Sequence, residues 1–301
     1  MTIAVRPTWC DPPLRRRIEE TALLVERRGY ALPPGSLGEH CLGGPASVQQ
    51  VLGAVEATPG LVLRDGLVVT SRQEHVAPAI ARRARGHAGE AAPWLAATAR
   101  FVRVLVRTNP YIRAVAIAGS LASGGFAASD DIDLNLVVED GRRHLAYVAL
   151  NVLGIVHAVR HRRKPVDAHS RRPVAPRLMT ANLILERTQC FPLARQDPAM
   201  AWELLGSRPV HGLEVWRDVL AANPRLGEHF PQLRWSGGEQ EGAAAPRLPP
   251  WLFPRAVDPA ARVVGEAGWR WMQWTRRHRP EALARVAYVR ETMRPYALFD
   301  R

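Results

Sequence analysis

The chain has 301 residues, 47% of them hydrophobic, and its 41 Lys and Arg against 28 Asp and Glu give a formal net charge of +13. This length and apolar content indicate a globular protein with one large or two small domains around a genuine core. The excess positive charge favours anionic partners such as nucleotides or nucleic acid, although an arginine-rich composition is equally expected of a GC-rich genome.

The cysteines and the apolar runs limit the cellular compartment. Cys10, Cys41 and Cys190 are odd in number and scattered, which excludes a disulfide framework or a Cys-x-x-Cys zinc pattern. The first residues lack the apolar core of a signal peptide. The longest uncharged apolar stretch, residues 145–159, falls short of the ~20 residues that a membrane span requires. We therefore expect a cytoplasmic protein with no membrane partner.

The N-terminal quarter predicts three helices followed by a β-hairpin, an order typical of a winged-helix-like domain. Helices are predicted over residues 14–28, 36–41 and 46–57, and strands over residues 61–63 and 67–69. The Asp65-Gly66 pair between the strands is a typical two-residue hairpin turn. The second and third helices carry no Arg or Lys to contact DNA. A packing or dimerisation role is therefore favoured, and a DNA-binding regulator is the alternative.

The next segment, residues 76–110, predicts linking helices. The sequence is helical and basic, with a break expected near Gly86–Pro93 because glycine and proline interrupt helices. An apolar stripe at helical spacing predicts core packing. The stripe consists of Trp94, Thr98, Phe101 and Leu105.

Residues 114–138 are the one stretch in which spacing predicts chemistry. A short apolar strand stops at Gly119-Ser120, a turn whose backbone N–H groups suit a phosphate. A second strand carries Asp131 and Asp133 on either side of Ile132. Because residues i and i+2 of a strand share a face, both carboxylates are expected to converge on a divalent cation.

This arrangement resembles the nucleotidyltransferase superfamily of DNA polymerase β and the antibiotic nucleotidyltransferases. The family pattern is an apolar residue, Gly-Ser, a gap of about ten residues, then Asp-apolar-Asp. The N-terminal quarter makes the bacterial subset with a winged-helix-like domain the nearest likeness. The resemblance implies that Asp131 and Asp133 are catalytic and bind Mg²⁺ or Mn²⁺, and that Gly119 and Ser120 bind a nucleoside triphosphate.

The resemblance also implies a third carboxylate on the next strand, which is predicted over residues 178–186. The chain has Asn182 there, and an amide hydrogen-bonds but is no base near neutral pH. Asn182 is therefore expected to contact the nucleotide. Asp167, and after it Glu186, are the candidates for the missing catalytic acid.

Between these strands the sequence predicts a buried helix over residues 144–159 and a basic loop over residues 160–177. The arginines of the loop suit a triphosphate or a polyanionic acceptor. His157, His161 and His169 are surrounded by Arg and Lys. We therefore interpret them as part of a solvated basic loop rather than as metal ligands.

The C-terminal third combines short helices, a Gly, Ala and Pro-rich linker, and a segment with several tryptophans among arginines. Aromatic and basic residues in alternation can stack on bases. A helix that docks its tryptophan face on the body is the favoured interpretation.

The expected fold class is α/β (α+β): a small mixed sheet in a nucleotidyltransferase core flanked by helices, with an N-terminal winged-helix-like domain and a helical C-terminal part. The predicted segments are a winged-helix-like domain over 1–75, linking helices over 76–110, the core over 111–195, a helical subdomain over 196–235, a flexible linker over 236–250 and basic, Trp-rich helices over 251–301.

The expected function is transfer of a nucleoside monophosphate from a nucleoside triphosphate to an unknown acceptor, with Mg²⁺ and release of pyrophosphate. A small molecule, a protein or an RNA is compatible as the acceptor. The alternatives are a catalytically degenerate nucleotide-binding protein and a DNA-binding regulator.

Overall fold

The structure is a computed structural model, which describes residues 12–161, 178–232, 246–275, 277–278, 280, 283–284, 286–287 and 295–299. The chain divides into two compact units. The first contains the described residues of Met1–His87, Gln196–Leu205 and Pro224–Arg234, and the second those of Ala88–Arg195, Gly206–Asn223 and Trp235–Arg301. The six predicted segments stay a prediction. In this division, parts of the predicted helical subdomain belong to the same unit as the N-terminal residues.

The elements alternate between helices and short strands. The helices are α1 (Pro12–Glu26), α2 (Pro34–Glu39), α3 (Val48–Ala57), α4 (Ala77–Thr108), α5 (Gly119–Ser123), α6 (Arg143–Arg160), α7 (Arg187–Cys190), α8 (Pro198–Leu205), α9 (Leu213–Ala222), α10 (Pro224–His229) and α11 (Val257–Thr275). The strands are β1 (Leu61–Arg64), β2 (Leu67–Thr70), β3 (Ile112–Ala118), β4 (Ile132–Val138), β5 (Met179–Glu186) and β6 (Arg208–His211). Short 3₁₀ turns cover Glu74–Val76 and Pro250–Leu252.

The first unit contains the three helices and the hairpin that the sequence predicts. Helix α3 begins with a capping box, in which Gln50 N donates to Ser47 Oγ at 3.2 Å and Ser47 N donates to Gln50 Oε1 at 2.8 Å. Asp65 and Gly66 have φ angles of 50° and 78°, as a two-residue hairpin turn requires. The core of the unit includes Ile18 and other buried apolar residues of α1, α2, α3, β1 and β2.

Helix α4 is continuous, so the predicted break near Gly86–Pro93 is wrong. Pro93 lies inside the helix and removes the hydrogen bond to the carbonyl of the residue four positions earlier. That residue is Gly89, which is exposed, so water can satisfy its carbonyl. Beyond Pro93, Phe101 and Leu105 are buried in the core of the second unit, and this packing outweighs the local preference.

The second unit is built on a mixed four-stranded sheet in the order β5-β4-β3-β6. Strand β3 pairs antiparallel with β4 and β6, and β4 pairs parallel with β5. Its core is formed by apolar residues of the sheet, of α6 and of the second half of α4. The prediction of a mixed α/β chain with a small mixed sheet flanked by helices is therefore confirmed. Strand β6 was not predicted, because its four residues contain a proline and show no apolar alternation.

Helix α6 is less buried than predicted. Gly154 and its neighbours on one side lie against β5, whereas Val152, Ile155 and Val156 are 54%, 63% and 51% exposed. A helix that is apolar on all sides was expected to be covered on all sides. Among the described residues, β5 and α11 pack against α6, and the side with Val152, Ile155 and Val156 stays exposed.

Helix α11 packs on α6 through a polar end and small residues. Asp258 Oδ1 accepts a hydrogen bond from Leu145 N at 2.9 Å, and Asp258 Oδ2 lies 2.8 Å from His144 Nδ1. Ala261 and Gly265 are buried on the same side. The favoured interpretation, that a tryptophan face docks on the body, is therefore wrong for the tryptophans that stay exposed. These are Trp251, Trp271 and Trp274, with 75%, 67% and 59% exposure.

None of the described helices is long and apolar enough to cross a membrane. Cys41 and Cys190 are buried free thiols, and burial raises the pKa of Cys190 to about 12, with Asp140 adding to the rise.

Candidate functional site

The Gly119-Ser120 turn lies where strand β3 ends and α5 begins. Gly119 has a φ of +61°, a conformation that costs an L-residue energy because its Cβ crowds the backbone. A Cβ at this position would overlap Asp133 Oδ2. Glycine is therefore required twice here, once by the backbone and once by the carboxylate that lies against it.

Asp133 lies on β4, which is flanked by β3 and β5. It is paired with Ala118 of β3 on one side and with Thr180 of β5 on the other. Its Oδ1 accepts a hydrogen bond from Thr180 Oγ1 at 2.6 Å. Thr180 is buried, so this contact fixes the carboxylate in one orientation.

Asp131 precedes strand β4. Asp131 and Asp133 are half-buried, and Ile132 between them is fully buried. This alternation is the one expected when residues i and i+2 share a face and the middle residue faces the core. Among the described residues, no group of three or more His, Cys, Asp or Glu side chains is arranged to hold a metal ion.

The hydroxyl of Ser120 is held by a carboxylate that sequence reasoning did not assign. Ser120 Oγ donates to Asp130 Oδ2 at 2.8 Å, and the same oxygen accepts from Ala127 N at 3.2 Å. Asp130 therefore ties the start of α5 to the segment that leads into β4. The Asp130-Asp131 doublet was the available signal, and only its second member fitted the spacing of the metal-binding pattern.

The loop between α5 and β4 is fixed to the second unit. Phe126 is fully buried in the core, and Ala128 N donates to Glu90 Oε2 at 2.6 Å. The aspartates at the end of this loop are thus positioned by a packed segment rather than by a free tether.

Asn182 forms a side-chain pair with a residue that the sequence analysis had not singled out as functional. Its Nδ2 donates to Asn135 Oδ1 at 2.9 Å, and Asn135 is fully buried. Asn182 occupies a bulge in β5, because Leu134 pairs with Ala181 and Asn135 pairs with Leu183. At the position where the resemblance implies a carboxylate, the structure thus places an amide hydrogen-bonded to a second amide.

The two candidates for the missing acid have different outcomes. Asp167 lies outside the described residues. Glu186 pairs with Val138, five residues along the ladder from the pair of Asp133 and Thr180, which is about 16 Å at strand spacing. Its Oε1 accepts from Gly141 N at 3.1 Å. Glu186 stabilises a turn at the other end of the strand, so it is excluded as the missing acid.

The histidines near the end of α6 do not lie in a solvated loop. The ring centroids of His157 and His161 are 4.6 Å apart, and His157 packs edge-on against Phe101. Burial, and after it the charges of His161, Arg160 and Arg100, together lower the pKa of His157 to about 4. A metal dication would meet the same desolvation and repulsion, so we interpret His157 and His161 as a packing pair. His169 lies outside the described residues.

In comparisons with known proteins, no family model, no curated protein and no solved structure matches this chain. The resemblance to the nucleotidyltransferase superfamily therefore rests on the central motif alone. Its residues are Gly119, Ser120, Asp131, Ile132 and Asp133.

Proposed function

We propose that the chain is a nucleotidyltransferase that binds a nucleoside triphosphate with Mg²⁺ and transfers the nucleoside monophosphate to an acceptor, releasing pyrophosphate. The observation that carries the proposal is the setting of Asp133. Its carboxylate lies against the bare Cα of Gly119 on one side and accepts from Thr180 on the other. Such a setting holds a charged oxygen in place at a turn suited to phosphate.

The donor set fits magnesium bound together with a nucleotide. Mg²⁺ is usually held in proteins by one or two carboxylates, and substrate phosphates and water complete its coordination. Asp131 and Asp133 would supply those carboxylates. When bound, the ion supplies positive charge that stabilises the leaving pyrophosphate.

The residues of the chain supply position. Thr180 fixes the rotamer of Asp133, and Gly119 leaves the space that a side chain would fill. Asp130 holds Ser120 at the turn, where the phosphates would lie. Preorganised oxygens of this kind lower the cost of binding, because little has to be ordered when the ligand arrives.

A second candidate is a nucleotide-binding protein without turnover, and the pair of Asn182 and Asn135 favours it. Two hydrogen-bonded amides supply neither a base nor a charged metal ligand. The DNA-binding alternative gains no such support, because helices α2 and α3 contain no Arg or Lys.

Release of pyrophosphate from labelled triphosphates over a panel of small-molecule, protein and RNA acceptors distinguishes the two candidates. The transferase predicts release that depends on Mg²⁺, is lost in the double variant Asp131→Asn, Asp133→Asn and persists in Asp218→Asn, a control at an exposed carboxylate of α9. Binding of triphosphate without release over the whole panel would favour the degenerate protein. Release that persists in the double variant would contradict the assigned site.

A further inference from the structure

The side of helix α11 that faces away from α6 is strongly apolar. Val263, Val264, Trp271 and Trp274 are 69%, 61%, 67% and 59% exposed. At 100° per residue they fall within one arc of about 100°, which is separate from the arc of the buried residues of the helix. Those buried residues are Asp258, Ala261 and Gly265. We call the exposed apolar side the outer face of α11. It is presented on a helix that is itself anchored to the second unit.

The surroundings of the outer face are cationic. Residues 250–275 contain two acidic side chains. Asp258 is buried beside His144, and Glu266 is paired with Arg270 at 2.7 Å. Exposed arginines lie along the same segment. They are Arg255, Arg262, Arg270 and, just after the helix, Arg277. The guanidinium of Arg277 lies 3.9 Å above the ring of Trp274.

The chemistry of this face discriminates among occupants. Tryptophan can stack on a base, but Val263 and Val264 have no flat face and no polar atom with which to recognise a nucleotide. A second copy in a two-fold dimer would bring the arginines of both copies towards one another. An anionic bilayer surface accommodates the valines, the tryptophans and the arginines together. Valines insert at the boundary of the acyl chains, tryptophans prefer the headgroup level and arginines bind the lipid phosphates.

We propose that the outer face of α11 binds an anionic phospholipid surface, with Trp271 and Trp274 at the level of the headgroups. The helix lies along the bilayer and does not cross it. The proposal departs from the sequence-based expectation of no membrane partner. The sequence does not show that these tryptophans are exposed, whereas the fold does.

The test is flotation of the full chain with vesicles of phosphatidylcholine, alone or with about 30% phosphatidylglycerol. The wild type is expected to float with the anionic vesicles only, to show a blue shift of tryptophan emission, and to bind less as salt increases. Trp271→Ser with Trp274→Ser, and separately Val263→Ser with Val264→Ser, should each reduce the affinity about tenfold or more.

The matched control is Val48→Ser with Leu63→Ser, which removes exposed apolar side chains of the first unit and should leave vesicle binding within about twofold. Unfolding in urea verifies that each variant is folded. Three results would overturn the proposal. They are no vesicle binding by the wild type, binding of both outer-face variants as tight as that of the wild type, and tighter binding of single-stranded oligonucleotides than of vesicles through the same tryptophans.

Discussion

Replacing Gly119 by alanine perturbs the candidate site by adding only a methyl group. The new Cβ imposes the cost of a left-handed backbone, about 1–2 kcal/mol for an L-residue. It also overlaps Asp133 Oδ2, so the carboxylate must rotate away from Thr180. Losing a buried hydrogen bond to a charged group costs about 1.5–3 kcal/mol. We therefore expect Gly119→Ala to lower the free energy of unfolding by about 2.5–5 kcal/mol, as measured by urea unfolding.

The control is Gly141→Ala. Gly141 has a φ of +69°, and nothing lies within 4 Å of a Cβ built on it, so only the backbone cost of about 1–2 kcal/mol applies. The entropy that alanine removes from the unfolded chain is the same in both variants and cancels in the comparison. If Gly119→Ala loses no more stability than Gly141→Ala, Asp133 is not held against Gly119 and the described geometry of the site is wrong.

Three further predictions test individual contacts by urea unfolding. Thr180→Val should lower the free energy of unfolding by about 1.5–3 kcal/mol, because it removes the donor to Asp133. Thr180→Ser should restore most of this loss. Equal stability of the two variants would contradict that hydrogen bond. Glu203→Gln should lower the free energy of unfolding by about 3–5 kcal/mol, because the side chain of Glu203 is only 5% exposed and its loss of charge leaves the guanidinium of Arg28 without a carboxylate partner. A loss below about 1 kcal/mol would show that the pair behaves as an exposed one. His157 has a pKa lowered to about 4, so between about pH 6.5 and 4 the unfolded chain binds the extra proton and stability falls as the pH falls. After discounting for solvent screening, His157→Phe should remove about 1–2 kcal/mol of that loss, and an identical pH dependence in both proteins would refute the assignment.

The local elements follow from the sequence where side-chain chemistry decides them. The Asp65-Gly66 turn and the Ser47 cap act over a few residues, so they are predictable without knowledge of the fold. The continuous α4 is different. Pro93 predicts a break, but the helix is retained because an exposed glycine carries the orphaned carbonyl and buried Phe101 packs beyond it.

The candidate site divides in the same way. Spacing along the chain predicts the juxtaposition of Gly119 and Asp133, because a turn and a neighbouring strand are close in sequence. The contribution of Thr180 comes from a strand 47 residues further along, and no local pattern gives the register of a parallel pair. The contact made by Asn135 could not be predicted from the sequence for the same reason. Its partner Asn182 occupies a bulge that depends on that register.

The most direct test of the central claim is isothermal titration of the full chain with nucleoside triphosphates in the presence and absence of Mg²⁺. We expect binding that requires Mg²⁺, is abolished in the double variant Asp131→Asn, Asp133→Asn and is unchanged in Asp218→Asn. The two asparagines remove the charge that attracts the cation but keep the size of the side chains. Absence of binding by the wild type, or equal binding by the wild type and the double variant, would contradict the assignment of a nucleotide and metal site to these aspartates.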